Sequence, residues 1–386
     1  MTNKKEFIVF GSPLIEQEEI NEVVSCLKSG WLGTGPKVTE FENNFLDYKK
    51  GNYVAALNSC TAALHLSLKT LDLKPGDEVI TTAMTFCATV NAIIHSGATP
   101  VLADVEFDSM NINPTEIKNK ITSNTKAILI VHFAGRPCNM DAIMDIAKEY
   151  NLKVIEDCAH AIETTYKNKN AGTFGDFGCF SFYVTKNITT GEGGMVIARE
   201  KKDIDRIKIL GLHGMSKDAW KRFGDEGYKH YYVVEAGFKY NMMDIQAAIG
   251  IHQLKRIDSN WQKRQEIWQQ YKEAFRNLPI ILPADPETNT KHAYHLFTIL
   301  IDEQRAGISR DDFLKKINLD GIGVGVHYLS IPEHPFYQKT YKWLPENYPN
   351  SYKIGRQTVS LPLSPKLTQE QINRVIVSVC NIFSRK

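Results

Sequence analysis

The sequence predicts an α/β protein, with a large domain built on a mainly parallel sheet flanked by helices and a smaller C-terminal α+β domain. Three observations carry this expectation. Short apolar, β-branched runs alternate with stretches of helical period, which requires crossover connections and therefore parallel strands. The chain has 386 residues, 43% of them hydrophobic, more than one hydrophobic core usually organises. Polar turns rich in Ser, Thr, Asp and Gly follow several of the strand-like runs, and ligands gather at such strand ends in open parallel sheets.

In chain order, the strand-like runs are Tyr53–Leu57, Glu78–Thr82, 100–105, 127–133, 153–156, 178–183 and Gly194–Ala198. Between them, 61–70 reads as a helix opened by a hydroxyl cap, and 138–150 as one with Ile143, Ile146 and Ala147 on a single face. A longer helical pattern over 243–276 carries Ile245, Ala248, Ile249, His252 and Leu254 and bridges the domains, giving a large domain with an N-terminal arm over 1–255 and a small domain over 256–386. Lys255, Arg256, Lys263 and Arg264 fall on its polar side and read as a solvated face. The stretch 217–235, polar and aromatic, is too long for an ordinary turn and reads as a lid or interface arm. The proline- and acid-rich stretch 279–290 reads as a linker.

Composition excludes several classes of function. With 46 basic against 44 acidic residues the net charge is only +2, so no strong field draws nucleic acid or an anionic membrane, and small anions must be held by local sites. No apolar run approaches the roughly 20 residues needed to cross a bilayer. The start, Met1-Thr2-Asn3-Lys4-Lys5-Glu6, lacks the apolar stretch of a signal peptide. Seven scattered cysteines show no zinc-type spacing and read as reduced thiols, which suits a cytoplasmic protein.

The chemistry centres on Ser181-Phe182-Tyr183-Val184-Thr185-Lys186-Asn187-Ile188-Thr189-Thr190-Gly191-Glu192-Gly193-Gly194, one lysine among small, polar and glycine residues just after an apolar strand. A lysine so presented can condense with an aldehyde cofactor. Pyridoxal 5'-phosphate needs, besides the amine, a carboxylate for its ring nitrogen, a cradle for its phosphate and an aromatic cover for its ring. Asp157 stands at a strand end about one βαβ crossover before Lys186. Thr61 opens a helix whose free amides and dipole suit a phosphate, Ser181 adds a hydroxyl, and Phe86 follows another strand where it can stack on a ring. Each alone has a plainer explanation as a cap, core residue or turn; their order along the chain, always at strand ends, carries the inference.

Five motifs then resemble one family. They are Gly30-Trp31-Leu32-Gly33-Thr34-Gly35-Pro36, Ser59-Cys60-Thr61-Ala62-Ala63-Leu64-His65, Glu156-Asp157-Cys158-Ala159-His160-Ala161, the Ser181 to Gly194 stretch, and Gly237-Phe238-Lys239-Tyr240-Asn241-Met242. Over nearly the whole chain they are similar to the DegT/DnrJ/EryC1/StrS aminotransferases, pyridoxal phosphate enzymes of fold-type I that aminate keto sugars, mostly nucleotide-linked, with glutamate as the usual donor. The resemblance implies that Lys186 and Asp157 are catalytic, with pyridoxamine 5'-phosphate as the intermediate form of the cofactor. It implies that Cys60, Thr61 and Ser181 surround the phosphate, that Phe86 stacks on the ring, and that His160 sits near the ring hydroxyl. Lys239 or Asn241 would reach the phosphate from a second subunit, so a homodimer is implied. Trp31, Thr34, Tyr183, Arg222, His327 and Tyr328 become candidate substrate contacts, and no metal is implied. Cys60 stands where relatives usually have glycine, and Tyr183 where many have histidine.

The lysine motif favours, within the family, 4-amination of a nucleotide-linked 4-keto-6-deoxy sugar, serving surface-polysaccharide, glycan or antibiotic amino-sugar biosynthesis. A 3-keto sugar or inositol aminotransferase keeps the same fold, as does a non-catalytic regulatory protein. Family members that dehydrate have histidine at the lysine position, so Lys186 argues against that outcome. Lys186, Asp157 and Ser181 together argue against a protein without turnover.

Overall fold

The computed structural model describes residues 6–216 and 231–384. After an N-terminal arm come helices α1 (Gln17–Ser29) and α2 (Pro36–Lys49), the first ending on Gly30 at φ 75°, the second opened by the preset φ of Pro36. Then follow β1 (Tyr53–Leu57), α3 (Cys60–Thr70), β2 (Glu78–Thr82), α4 (Cys87–Ser96), β3 (Thr99–Ala103), α5 (Pro114–Asn119), β4 (Thr125–Val131), α6 (Met140–Glu149) and β5 (Lys153–Asp157). The short strands β6 (Thr165–Tyr166) and β7 (Lys169–Asn170) lead to β8 (Phe177–Ser181), β9 (Gly194–Ala198) and α7 (Lys201–Leu210).

Seven strands form one sheet in the order β1-β9-β8-β5-β4-β2-β3. Strand β9 runs antiparallel to β1 and β8, and the other pairs run parallel, so the sheet is mainly parallel as the alternating pattern predicts. Its strands are buried almost throughout, which is why they read as continuous apolar runs rather than alternating ones. The parallel pairings of β5 with β4 and β8 bring the carboxyl ends of these strands, at Val131, Asp157 and Ser181, to one edge. The limits of β1, β2 and β9 match the sequence reading, and those of β3, β4, β5 and β8 differ by one or two residues, where tertiary pairing decides the last hydrogen bond.

The rest of the chain comprises α8 (Asp244–Lys255), α9 (Ile257–Phe275), β10 (Thr290–Lys291), β11 (Phe297–Leu300), α10 (Glu303–Ala306), α11 (Arg310–Leu319), α12 (Pro335–Tyr341), α13 (Pro349–Gln357), β12 (Thr358–Leu361) and α14 (Gln369–Ser384). The long pattern over 243–276 is therefore two helices, broken at Arg256. The break has a packing reason. Ile251 and Leu254 of α8 join Phe41 and Phe45 of α2 in one core cluster, whereas Trp268, Tyr271 and Phe275 of α9 join Phe297, Phe313 and Val379 in another. Arg256 is held at the corner by Glu16, Glu18 and Glu19. Ile8 of the N-terminal arm packs into the C-terminal cluster, pairing with Ile322.

Two other expectations change. Arg264 does not belong to a solvated face: it is buried, with Nη1 donating to the carbonyl of Leu363 at 2.7 Å. The stretch 279–290 is not a free linker, because Ile281 pairs with Leu300 and the buried Arg136 guanidinium holds Glu287 and the carbonyls of Ala284 and Asp285. The stretch 217–230, with Trp220, Arg222, Phe223 and Tyr228, lies outside the described residues.

Candidate functional site

A cavity of about 540 Å³ opens at the carboxyl ends of β5 and β8, beneath the turn that follows β8. Cys60, Thr61, Phe86, Asp157, His160, Ser181, Tyr183, Lys186, His327 and Tyr328, all singled out in the sequence, line it. Local geometry explains each placement. The Lys186 amide bonds back to the Tyr183 carbonyl at 2.9 Å, the amide of Phe182 donates to Gly193 O at 2.9 Å, and that of Thr190 to Phe182 O at 2.9 Å. The lysine turn is thereby closed at its base, and Lys186 is carried into the cavity. Burial is the main force on its amine, lowering the pKa to about 8 against the pull of Asp157 and Cys60.

Asp157 ends β5 and is nearly wholly buried. Its Oδ2 accepts from Thr89 Oγ1 at 2.8 Å and its Oδ1 from the Ala159 amide at 3.1 Å. Desolvation nonetheless raises its pKa, despite those hydrogen bonds and the charge of Lys186. This is a carboxylate held in place and short of a cation, which a protonated ring nitrogen would supply. Next to it, the Glu156 carboxylate accepts from His132 at 3.0 Å and from the amides of Gly172, Phe174 and Gly175, each at 2.7 Å. His132, Glu156 and Cys158 are spaced as metal ligands, but Glu156 is already saturated and the Cys138 amide donates to His132 Nδ1 at 3.0 Å. The cluster braces the strand that ends in Asp157.

The geometry also offers a place for a phosphate. Helix α3 is capped by Ser59, not by Thr61: the Ala62 amide donates to Ser59 Oγ at 3.1 Å, and the Cys60 and Thr61 residues of the open first turn line the cavity. Gly194 lets β9 lie against this turn, since a Cβ there would fall 2.3 to 2.5 Å from backbone atoms of Ser59 and Cys60. Ser181, at the end of β8, completes that side. The Cys60 side chain that replaces the usual glycine lies 3.9 Å from Asp157 Oδ1. A buried amine, a cation-seeking carboxylate and a helix N-terminus with open amides together fit pyridoxal phosphate.

Phe86, 57% exposed, and Tyr183, 45% exposed, border the cavity mouth. His160 receives the Ala134 amide at Nδ1, 3.3 Å, and faces the Tyr328 hydroxyl with Nε2, 3.1 Å. Burial, and then the charge of Lys186, pushes the His327 imidazole down to about 4; its Nδ1 pairs with Ser360 Oγ at 2.9 Å.

Other sequence candidates lie elsewhere in the single chain. Trp31 is 55% exposed and donates from Nε1 to Thr34 O at 3.3 Å. Thr34 Oγ1 accepts from Asn241 Nδ2 at 2.7 Å and donates to Met242 O. Lys239 is exposed, with its carbonyl accepting from Asn58. Trp31, Thr34, Lys239 and Asn241 thus form a neighbouring surface that does not line this cavity, while Arg222 falls outside the described residues.

Sequence reasoning missed four contributors, Thr89, Asn187, Glu163 and His295. Thr89 orients Asp157, and its signal was a hydroxyl one helical turn after Phe86. Asn187, directly after the lysine, donates to both Glu163 oxygens and to Ala293 O, each at 2.9 Å. His295 pairs with Asn187 Oδ1 at 2.9 Å and packs against His160, the rings tilted by 33° with centroids 4.4 Å apart. No local pattern marks Glu163 and His295, because only the tertiary fold brings them behind Lys186.

Residues 13–380 match the DegT/DnrJ/EryC1/StrS aminotransferase family. The chain is 47% identical over 381 residues to an uncharacterised protein of Methanocaldococcus jannaschii, covering 99% of each. It is 43% identical over 380 residues to the spore coat polysaccharide biosynthesis protein SpsC of Bacillus subtilis, covering 98% of each. Among solved structures, it is similar to Spr1654 of Streptococcus pneumoniae, described as a sugar aminotransferase, in its PLP form, with a TM-score of 0.89, 33% identity, and coverage of 98% of this chain and 99% of that one. The PMP form of the same protein gives a TM-score of 0.90 at 34% identity. PseC of Helicobacter pylori, an aminotransferase of pseudoaminic acid biosynthesis, gives a TM-score of 0.91 at 29% identity over 99% of this chain and 100% of that one. The chain therefore belongs to the DegT/DnrJ/EryC1/StrS aminotransferase family, whose transamination depends on pyridoxal phosphate.

Proposed function

We propose that this aminotransferase moves an amino group from L-glutamate to a nucleotide-linked 4-keto-6-deoxy sugar. The observation that carries the reading is the single cavity in which a low-pKa lysine, a cation-seeking aspartate and an open helix N-terminus converge. The similar proteins named above, one in spore-coat polysaccharide biosynthesis, one described as a sugar aminotransferase and one an aminotransferase of pseudoaminic acid biosynthesis, support a sugar as acceptor. The wording of the lysine motif supports the 4-keto position.

The bound cofactor supplies the electron sink that makes the carbon next to nitrogen acidic. The chain's own groups do the rest. Cys60 and Thr61 amides and the Ser181 hydroxyl would hold the phosphate. Asp157, fixed by Thr89 and the Ala159 amide, would favour a protonated ring nitrogen. Lys186 Nζ, facing the cavity with its pKa lowered by burial, would be the amine that holds the cofactor and, when free and neutral, the base that takes the proton from the donor's α-carbon and gives it back as an acid. With the keto sugar, the same nitrogen moves a proton the opposite way.

A homodimer belongs to the same reading. Ile20, Val24 and Leu27 on one side of α1, with Trp31 and Leu32 beyond it, are exposed apolar side chains close together in sequence. Asn241 Oδ1 is buried without a partner, and neither Lys239 nor Asn241 faces the cavity of its own chain. Both observations suit a second copy that covers this face and completes its neighbour's phosphate site.

The test is a panel of nucleotide-linked 3-keto and 4-keto sugars supplied with glutamate, scored for amino-sugar product. Amination of a 4-keto-6-deoxy member is expected. Reaction with 3-keto substrates alone would move the assignment to the other ring position, and reaction with none would remove the sugar reading.

A further inference from the structure

We propose that Tyr328 is a hydrogen-bond donor to an oxygen of the ligand bound in the cavity, its proton aimed there because His160 is locked as the tautomer that donates to it. The inference rests on the cofactor-dependent reading above. It starts from a backbone amide. The N–H of Ala134 can only donate, and it meets His160 Nδ1 at 3.3 Å. Nδ1 must therefore carry a lone pair, which excludes both the Nδ1–H tautomer and the imidazolium. The only remaining form has its proton on Nε2, 3.1 Å from the Tyr328 hydroxyl. His160 donates and the phenol oxygen accepts, so the phenol's own proton must point away from the imidazole. Among the described residues no acceptor takes it, and Tyr328 lines the cavity with Phe86, its ring centroid 5.9 Å away.

The surroundings hold this arrangement. Ala134 sits at φ 57°, in the left-handed region that a non-glycine residue rarely adopts, within the turn that presents its amide. His295 packs against His160 at a tilt and is tied through Nδ1 to Asn187 Oδ1, while the Asn187 amide nitrogen is in turn fixed by Glu163 and Ala293 O. Burial pushes His160 and His295 well below the usual imidazole range, so both stay neutral. It also pushes the Tyr328 phenol up, so the hydroxyl keeps its proton. Glu163, Asn187, His295 and His160 are positioning residues that connect the residue after Lys186 to the opposite wall of the site.

Two oxygens can receive this proton: the ring oxygen of the cofactor, or the carbonyl or carboxylate oxygen of a substrate. Tyr328→Phe distinguishes them. If the acceptor is the cofactor oxygen, losing a donor to that anion makes it more basic, so the pH titration of the visible band of the substrate-free holoenzyme should move up by about one unit or more. If the acceptor belongs to the substrate, the titration stays in place and kcat/KM falls about tenfold or more. An unchanged titration together with unchanged kcat/KM overturns the proposal. His160→Leu provides an independent arm should Tyr328→Phe fail to fold or load: the phenol remains but loses the donor that aims it, so the same quantity should move in the same direction by less, and no movement overturns the locking. Wild-type protein without any visible band would instead sink the cofactor reading.

Discussion

Among the described residues two lysines have pKa values pushed down to about 8 by burial, Lys186 and Lys49, and they show why geometry must decide between them. Lys49 Nζ donates to the carbonyl of Ile162 at 2.6 Å and lies 5.0 Å from the Phe180 ring, outside the strand-end cavity. Lys186 faces the cavity and Asp157. The neutral amine is the nucleophile, and with a pKa near 8 about a tenth of it is neutral at pH 7. The rate at which apoprotein takes up pyridoxal phosphate covalently should therefore rise through pH 8 and level off above it; a rise that continues toward pH 10 contradicts the assigned environment. Asp157→Ala should lower turnover about a hundredfold or more while leaving the cofactor bound, because its contribution is to developing charge rather than to anchoring. Near-normal turnover would remove Asp157 from the chemistry. Glu156→Ala, which leaves three buried amides and His132 without their acceptor, should cost about 3 kcal/mol of stability in chemical or thermal unfolding.

At the scale of elements, the cradle depends on how closely β9 meets the start of α3. Gly194→Ala places a methyl group against the Ser59 and Cys60 backbone and should destabilise the protein by about 1–3 kcal/mol while weakening cofactor binding. Gly191→Ala, at φ 79° with open space around it, should cost about 1 kcal/mol and leave cofactor affinity unchanged. Equal losses of affinity would show that Gly194 has no special role in the cradle. The sheet was readable in the sequence because buried parallel strands are continuous apolar runs, and the convergence of Lys186, Asp157, Thr61, Ser181 and Phe86 on one cavity was readable because each lies at or just after the end of such a run. What escaped was set by distance along the chain. The Arg256 corner arises because α8 and α9 serve different cores, and a polar helical face conceals that division. Arg264 looked solvated for the same reason: its burial comes from the C-terminal residues that reach it, not from the period of its own helix. Ser59 outcompeted Thr61 as cap because helix geometry, not residue type alone, selects which hydroxyl meets the third amide.

At the scale of the whole molecule, the Trp31, Thr34 and Asn241 surface and the cavity are separate in one chain, so a shared site requires a second copy. Mixing Lys186→Ala with Asn241→Ala subunits should then restore part of the activity that each lacks or loses, since one site of a mixed dimer is intact; no recovery, in protein shown by mass to be dimeric and exchanging, would make each chain self-sufficient. All these expectations depend on one claim, that Lys186 is the amine that holds the cofactor. Borohydride reduction of the holoenzyme followed by peptide mass analysis tests it most directly. The account predicts the reduced cofactor on the peptide containing Lys186 and no adduct on that containing Lys49; an adduct on another lysine, or no adduct in protein that carries pyridoxal phosphate, would contradict it.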